Sequence, residues 1–164
     1  MDRSDDIKKL WGLIKDVKVA MMTTAEPDGT LHSRPMATQE TEFDGDLWFF
    51  TSIKSAKVDE VRQNQHVNLS YADPDDNQYV SVSGTAQIVR DRQKAEELWS
   101  PVHRAWFPKG LDDPELALIR VNVEKAEYWD SSSSTMVQLI GFVKAMASGK
   151  RYDADPGEHG KVNL

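Results

Sequence analysis

In SDDIKKLWGLIKDV, Ile7, Leu10, Trp11 and Ile14 recur at the three- and four-residue spacing of one helix face, with Ser4 placed to cap the helix. The spacing then changes. Residues 17–25, VKVAMMTTA, read as a buried strand, EPDG at 26–29 as a turn, and residues 30–43 as a second strand interrupted by Pro35. Asp44-Gly45 favours a tight hairpin into DLWFFTS at 46–52, which makes an antiparallel meander of the first three strands the expectation. A helix from about Ser55 to Asn64 leads to residues 66–73, where Val67, Leu69 and Tyr71 alternate with polar positions. PDDN at 74–77 turns the chain into residues 78–90, where Val80, Val82, Gly84, Ala86 and Ile88 share one face. A glycine inside that face points to a bulge or a close backbone approach.

Residues 91–107 return to a helical pattern that Pro101 must break, and PKGLDDP at 108–114 reads as an exposed loop. A last long strand follows at 116–130 through Ile119, Val121 and Val123. Helical spacing resumes over 134–149, with SSSST at 131–135 suited to cap it. From Lys150 onward the chain is charged, with Gly and Pro and little apolar content, so 150–164 reads as a flexible or weakly docked tail after a single domain over 1–149. Six strands with one helical crossover in the middle predict a mainly β fold with flanking helices, a six-stranded antiparallel barrel. So small a barrel fills with its own side chains, which leaves a ligand outside it or between subunits.

Composition narrows the function. A formal charge of −7 on 164 residues argues against a nucleic-acid partner. There is no cysteine, hence no disulfide or thiolate metal site, and no apolar run long enough for a membrane span or signal peptide, so a cytoplasmic protein is expected. His32, His66, His103 and His159 have no metal-ligand spacing, no metal is expected, and no Gly-rich nucleotide fingerprint is present. His32 alone stands out, beside Ser33-Arg34. Lys54 and Lys57 fall at the start of the central helix, where the partial positive charge of the helix end disfavours cations. Either solvent or a bound anion such as a phosphate offsets them.

HSRPM on the second strand, LWFFTSIKSAK across the third strand and following helix, and YVSVSGTAQIV on the fifth together resemble the pyridoxamine 5'-phosphate oxidase-like FMN-binding split barrels. WSPVHRAWFPKGLDDP and AEYWDSSSS narrow the resemblance to the general stress protein branch. It implies a six-stranded split barrel that dimerises and holds FMN, with FAD as the alternative, in two equivalent clefts at the subunit interface. By the same resemblance Lys57 addresses the phosphate and Arg34 the phosphate or the flavin ring, with Ser33, Thr51 and Ser55 as hydroxyl donors. Pro35, Met36 and Phe50 lie beside the ring, while Trp106, Lys109 and Trp129 close the cleft from the opposing subunit.

Three functions remain open at this level: a flavin-dependent oxidoreductase acting on an unknown small molecule, a non-catalytic flavin-binding or sensing stress protein, and a split barrel whose cleft takes haem or a deazaflavin or stays empty. A true pyridoxamine phosphate oxidase is disfavoured, because KRYDADPGEHGKVNL lacks the ordered arginine- and histidine-bearing C-terminal motif of that enzyme.

Overall fold

The computed structural model describes residues 2–39, 41–131, 143–144, 146–149 and 158–164. Helix α1 (Arg3–Ile14) starts one residue before Ser4, with Asp2 as its N-cap, and buries Leu10, Leu13 and Ile14 against the sheet. Strands β1 (Val19–Ala25) and β2 (Leu31–Ala37) form a hairpin around EPDG, where Gly29 takes a φ of +87° that a side chain would resist. Then come β3 (Asp46–Ser52), α2 (Ala56–Gln63), β4 (His66–Asp73) and β5 (Gln78–Val89). A short helix α3 (Arg92–Leu98) and a 3-10 turn at Pro101–Ala105 form the helical segment, broken before Pro101 as expected. A second 3-10 turn (Gly110–Asp112) lies within the segment expected to be loop, before β6 (Leu116–Asp130).

The sheet order is β2-β1-β4-β5-β6-β3. The six-stranded split barrel expected from the sequence is therefore present, but the meander is not: β3 pairs with β6, from Asp46↔Asn122 to Ser52↔Leu116. Two features account for this. The connection at 38–45 is longer than a hairpin turn and is anchored by Phe43, only 3% exposed in the core. Pro35 does not interrupt β2, but it has no N–H, and β2 accordingly lies at the end of the sheet. The sheet curls until its two ends, β2 and β3, lie next to each other without pairing. That seam is the split.

Inside, Met22, Phe49, Leu69, Val82, Ile119 and Val121 are almost fully buried and fill the barrel. Gly84 sits where the β5–β6 register shifts, and a Cβ built there would meet the Asn122 carbonyl oxygen at 2.1 Å, so the close approach expected there is real.

The tail reading is corrected at its end. Residues Glu158–Asn163 form a seventh strand, β7, antiparallel to the second half of β6 from Lys125↔Asn163 to Asp130↔Glu158. Its sequence has one strongly apolar residue, Val162, which is 4% exposed, so local pattern carries almost no strand signal. The free edge of β6 beyond β3 supplies the ladder instead. Most of the helix expected at 134–149 and its SSSST cap lie outside the described residues.

Candidate functional site

A cleft of about 320 Å³ lies over the β2–β3 seam. That is at the small end for a ligand site. Pro35, Met36 and Ala37 line it from β2, Phe50, Thr51 and Ser52 from β3, Lys57 from α2, and His103, Trp106 and Phe107 from the segment after α3. Alternation along β3 decides the roles of two adjacent aromatics: Phe49, 1% exposed, points into the barrel, and Phe50 points out.

Phe50 is the floor of an aromatic cluster. His103 packs on it with ring centroids 4.3 Å apart, Trp99 meets it edge-on at 5.9 Å, and Phe107 lies at 6.5 Å. Trp106, 69% exposed, stands at the rim. The 3-10 turn is fixed by a reciprocal cap, in which the Ser100 side chain bonds the His103 backbone N–H and the Ser100 N–H donates to His103 Nδ1 at 3.0 Å. Nδ1 is thus an acceptor, and the neutral ring carries its proton on Nε2. Burial holds the imidazole below the ordinary histidine pKa.

The two lysines part company. Lys54 pairs with Glu115 at 3.1 Å on the surface. Lys57 is partly buried and has no carboxylate partner among the described residues; burial, then the neighbouring Arg34 charge, depresses its pKa. Ser55, the N-cap of α2, makes no side-chain cap bond and instead shares a 3.1 Å hydrogen bond with Thr51. The first turn of α2 therefore presents its backbone N–H groups and a cation together.

Arg34 of β2 is held by other protein side chains. Its side chain is on the inner side of β2 behind the cleft wall, where NH2 meets Glu60 Oε2 at 2.6 Å and NH1 donates to Thr24 Oγ1 at 2.7 Å. Thr24 in turn donates to the same Glu60 oxygen. Glu26, His32 and Glu60 bring ligand atoms within 4.8 Å of one another, but Arg34 NH2 lies 3.0 Å from His32 Nδ1 and fills the middle of the group. This is an ion-pair network around an arginine.

Ser33 points to the outer face and bonds Thr23 at 2.6 Å, and Lys109 is exposed on the loop before the second 3-10 turn. Trp129 is 42% exposed and stacks on His159 of β7, centroids 5.3 Å apart. On β6 it is eleven residues beyond Leu118, the partner of Phe50, or roughly 36 Å of strand. Trp129 and Phe50 of one chain do not share a cleft. Of the residues named from sequence, the structure brings Pro35, Met36, Phe50, Thr51 and Lys57 together, with Ser55 adjoining, and adds Trp106 from the same chain, not from an opposing subunit as expected. His103, Phe107 and Glu60 were missed. Only the Ser-x-x-His spacing of 100–103 hints at one of them, as a variant of the capping box.

No helix among the described residues is long and apolar enough to cross a membrane. The family model for pyridoxamine 5'-phosphate oxidase-like proteins matches residues 5–153. Protein bli-3 of Neurospora crassa is 33% identical over 88% of this chain and 74% of its own. Among solved structures, a proposed general stress protein 26 from Jannaschia sp. CCS1 superposes with a TM-score of 0.74 over 98% of this chain and 99% of that one, at 25% identity. The general stress FMN/FAD binding protein of Xanthomonas citri is 30% identical, with a TM-score of 0.69 over 80% of this chain and 92% of that one.

Proposed function

Because this chain belongs to the pyridoxamine 5'-phosphate oxidase-like family, we propose that it is a flavoprotein of the general stress type that holds flavin mononucleotide in the β2–β3 cleft. The observation that carries this is Lys57, a partly buried cation with no carboxylate partner among the described residues, set in a cleft whose described lining has no acid and is otherwise apolar, aromatic and neutral polar. A phosphate beside Lys57 and the start of α2 would offset that charge, and the Phe50 and Trp106 side would receive a flat ring. Arg34 acts from behind as a fixed positive charge.

The cleft is small because it is one chain's share. Outside the barrel, Val19, Met21, Tyr79 and Trp129 are 41–52% exposed, an apolar content that a homodimer would cover. In that dimer Trp129 and Lys109 reach the partner's cleft, the role implied by the family. Bound flavin would supply hydride or single-electron transfer. The chain's own residues bind the phosphate, clamp the ring and limit water on its face.

Identifying the cofactor released from purified protein tests this, with titrations by FMN, FAD and riboflavin and with light scattering. FMN should bind at least tenfold more tightly than riboflavin, to a dimer. Equal affinities would remove the phosphate site, and haem or deazaflavin absorption would replace the cofactor. Rapid reduction of the bound flavin by a nicotinamide nucleotide would make the protein an oxidoreductase, and a flavin that stays oxidised would make it a carrier or sensor.

A further inference from the structure

His103 is a polar group of the cleft that flavin binding through the phosphate leaves unused. Its Nδ1 edge is tied to the Ser100 backbone N–H, so Nε2, on the far side of the ring, carries the proton and turns away from the turn that holds it. No acceptor for Nε2 is present among the described residues. The ring is fixed between Phe50 at 4.3 Å and Trp99 at 5.3 Å, and it lines the cleft on the aromatic side with Trp106 and Phe107. A rigid, partly buried N–H with no partner costs stability unless something else accepts its proton.

We infer that His103 donates an Nε2–H hydrogen bond to an oxygen or nitrogen acceptor on the ring of the ligand in this cleft, and so tunes ring binding independently of the phosphate. The inference rests on the flavin reading of the site. Burial keeps the imidazole neutral near pH 7, which preserves the donor without adding charge. The cap and the donor use opposite edges of the ring, so one side chain performs both tasks, and substitution can separate them.

His103→Gln and His103→Glu both keep an oxygen that can accept from the Ser100 N–H, as Glu and Gln do at this position of a capping box, but only Gln also keeps an N–H. His103→Leu loses both. Each variant and the wild type are titrated with FMN and with riboflavin, and the midpoint potential of the bound flavin is measured. His103→Leu should weaken both flavins by about three- to tenfold, the range of one neutral hydrogen bond. His103→Glu should weaken both by more, because it adds negative charge. Both should shift the potential to more negative values, since a donor to the ring favours the reduced, more electron-rich form. Thermal unfolding without flavin should be near wild type for His103→Gln and His103→Glu.

If His103→Leu and His103→Glu bind both flavins as the wild type does, at an unchanged potential, His103 is a cap and nothing more. A loss confined to FMN overturns the ring assignment in favour of the phosphate. Wild-type protein that binds neither flavin would fail the flavin reading itself, which the wild-type titration shows before any variant is made.

Discussion

Arg34 and Glu60 close a hydrogen-bonded ring through Thr24: Arg34 NH2 lies 2.6 Å from Glu60 Oε2, Arg34 NH1 lies 2.7 Å from Thr24 Oγ1, and Thr24 donates to the same carboxylate oxygen. Only 14% and 11% of the two charged side chains are exposed. Removing either partner leaves a nearly buried charge alone, so Arg34→Ala and Glu60→Ala should each destabilise by about 3 kcal/mol. The double mutant should lose less than the sum, which urea unfolding in a double-mutant cycle will read as a positive coupling. Additive losses would mean the pair is solvated in practice.

The same ring sets an acid dependence. The Thr24 hydrogen bond, then that of Arg34 and its charge, outweigh burial and hold the Glu60 pKa below the ordinary glutamate value of about 4.3. The unfolded chain therefore binds the proton first, so this contribution is present above about pH 4.3 and is lost as pH falls through the lower folded-state value. Melting temperatures of the wild type and Glu60→Gln should differ most at pH 6–7 and converge below about pH 4.

Lys57 should show opposite signs for stability and binding. Burial and the nearby Arg34 charge both disfavour its cationic form without ligand, so Lys57→Ala should leave the melting point of the flavin-free protein unchanged or slightly higher. The same substitution should weaken FMN by about ten- to a hundredfold, the range of one charge-assisted hydrogen bond, and riboflavin far less. Calorimetric titration with both ligands separates the two effects.

Gly84→Ala places a methyl 2.1 Å from the Asn122 carbonyl oxygen, on backbone that is held in the β5–β6 ladder. Neither strand can yield without breaking pairs, and the expected loss is about 3 kcal/mol. Gly12→Ala, where nothing lies within 4 Å of the new methyl, is the control that should cost nothing or stabilise α1.

Deleting residues 158–164 removes Val162 from the core and uncovers the β6 edge from Lys125 to Asp130. Burying a valine is worth about 2 kcal/mol, so the melting point should fall. Light scattering should also detect higher association, because an unpaired edge is a template for another strand. A truncation that behaves as the full chain would return these residues to the status of a passive tail.

Periodicity in the sequence determined most of the segments that become strands and helices. The alternation of Val80, Val82, Gly84, Ala86 and Ile88 names β5 and its crowded glycine, and the apolar spacing from Ile7 to Ile14 names α1, because such patterns record which face each segment buries against any core. The order and spacing of HSRPM, LWFFTSIKSAK and the late tryptophans determined the family, and with it Lys57 and Phe50 as cleft residues. Partnership was decided elsewhere. That β3 lies against β6 and not β2, that the polar stretch 158–163 becomes a strand, and that Arg34 turns to Glu60 twenty-six residues away all depend on which edge or charge is left free once the barrel has curled. His103 needs both levels, because the spacing to Ser100 caps the turn locally, whereas its place on Phe50 exists only after two segments over fifty residues apart have packed. A side chain's preference for a face is a local energy that its neighbours in sequence reveal, but the partner that satisfies it is chosen by the whole fold.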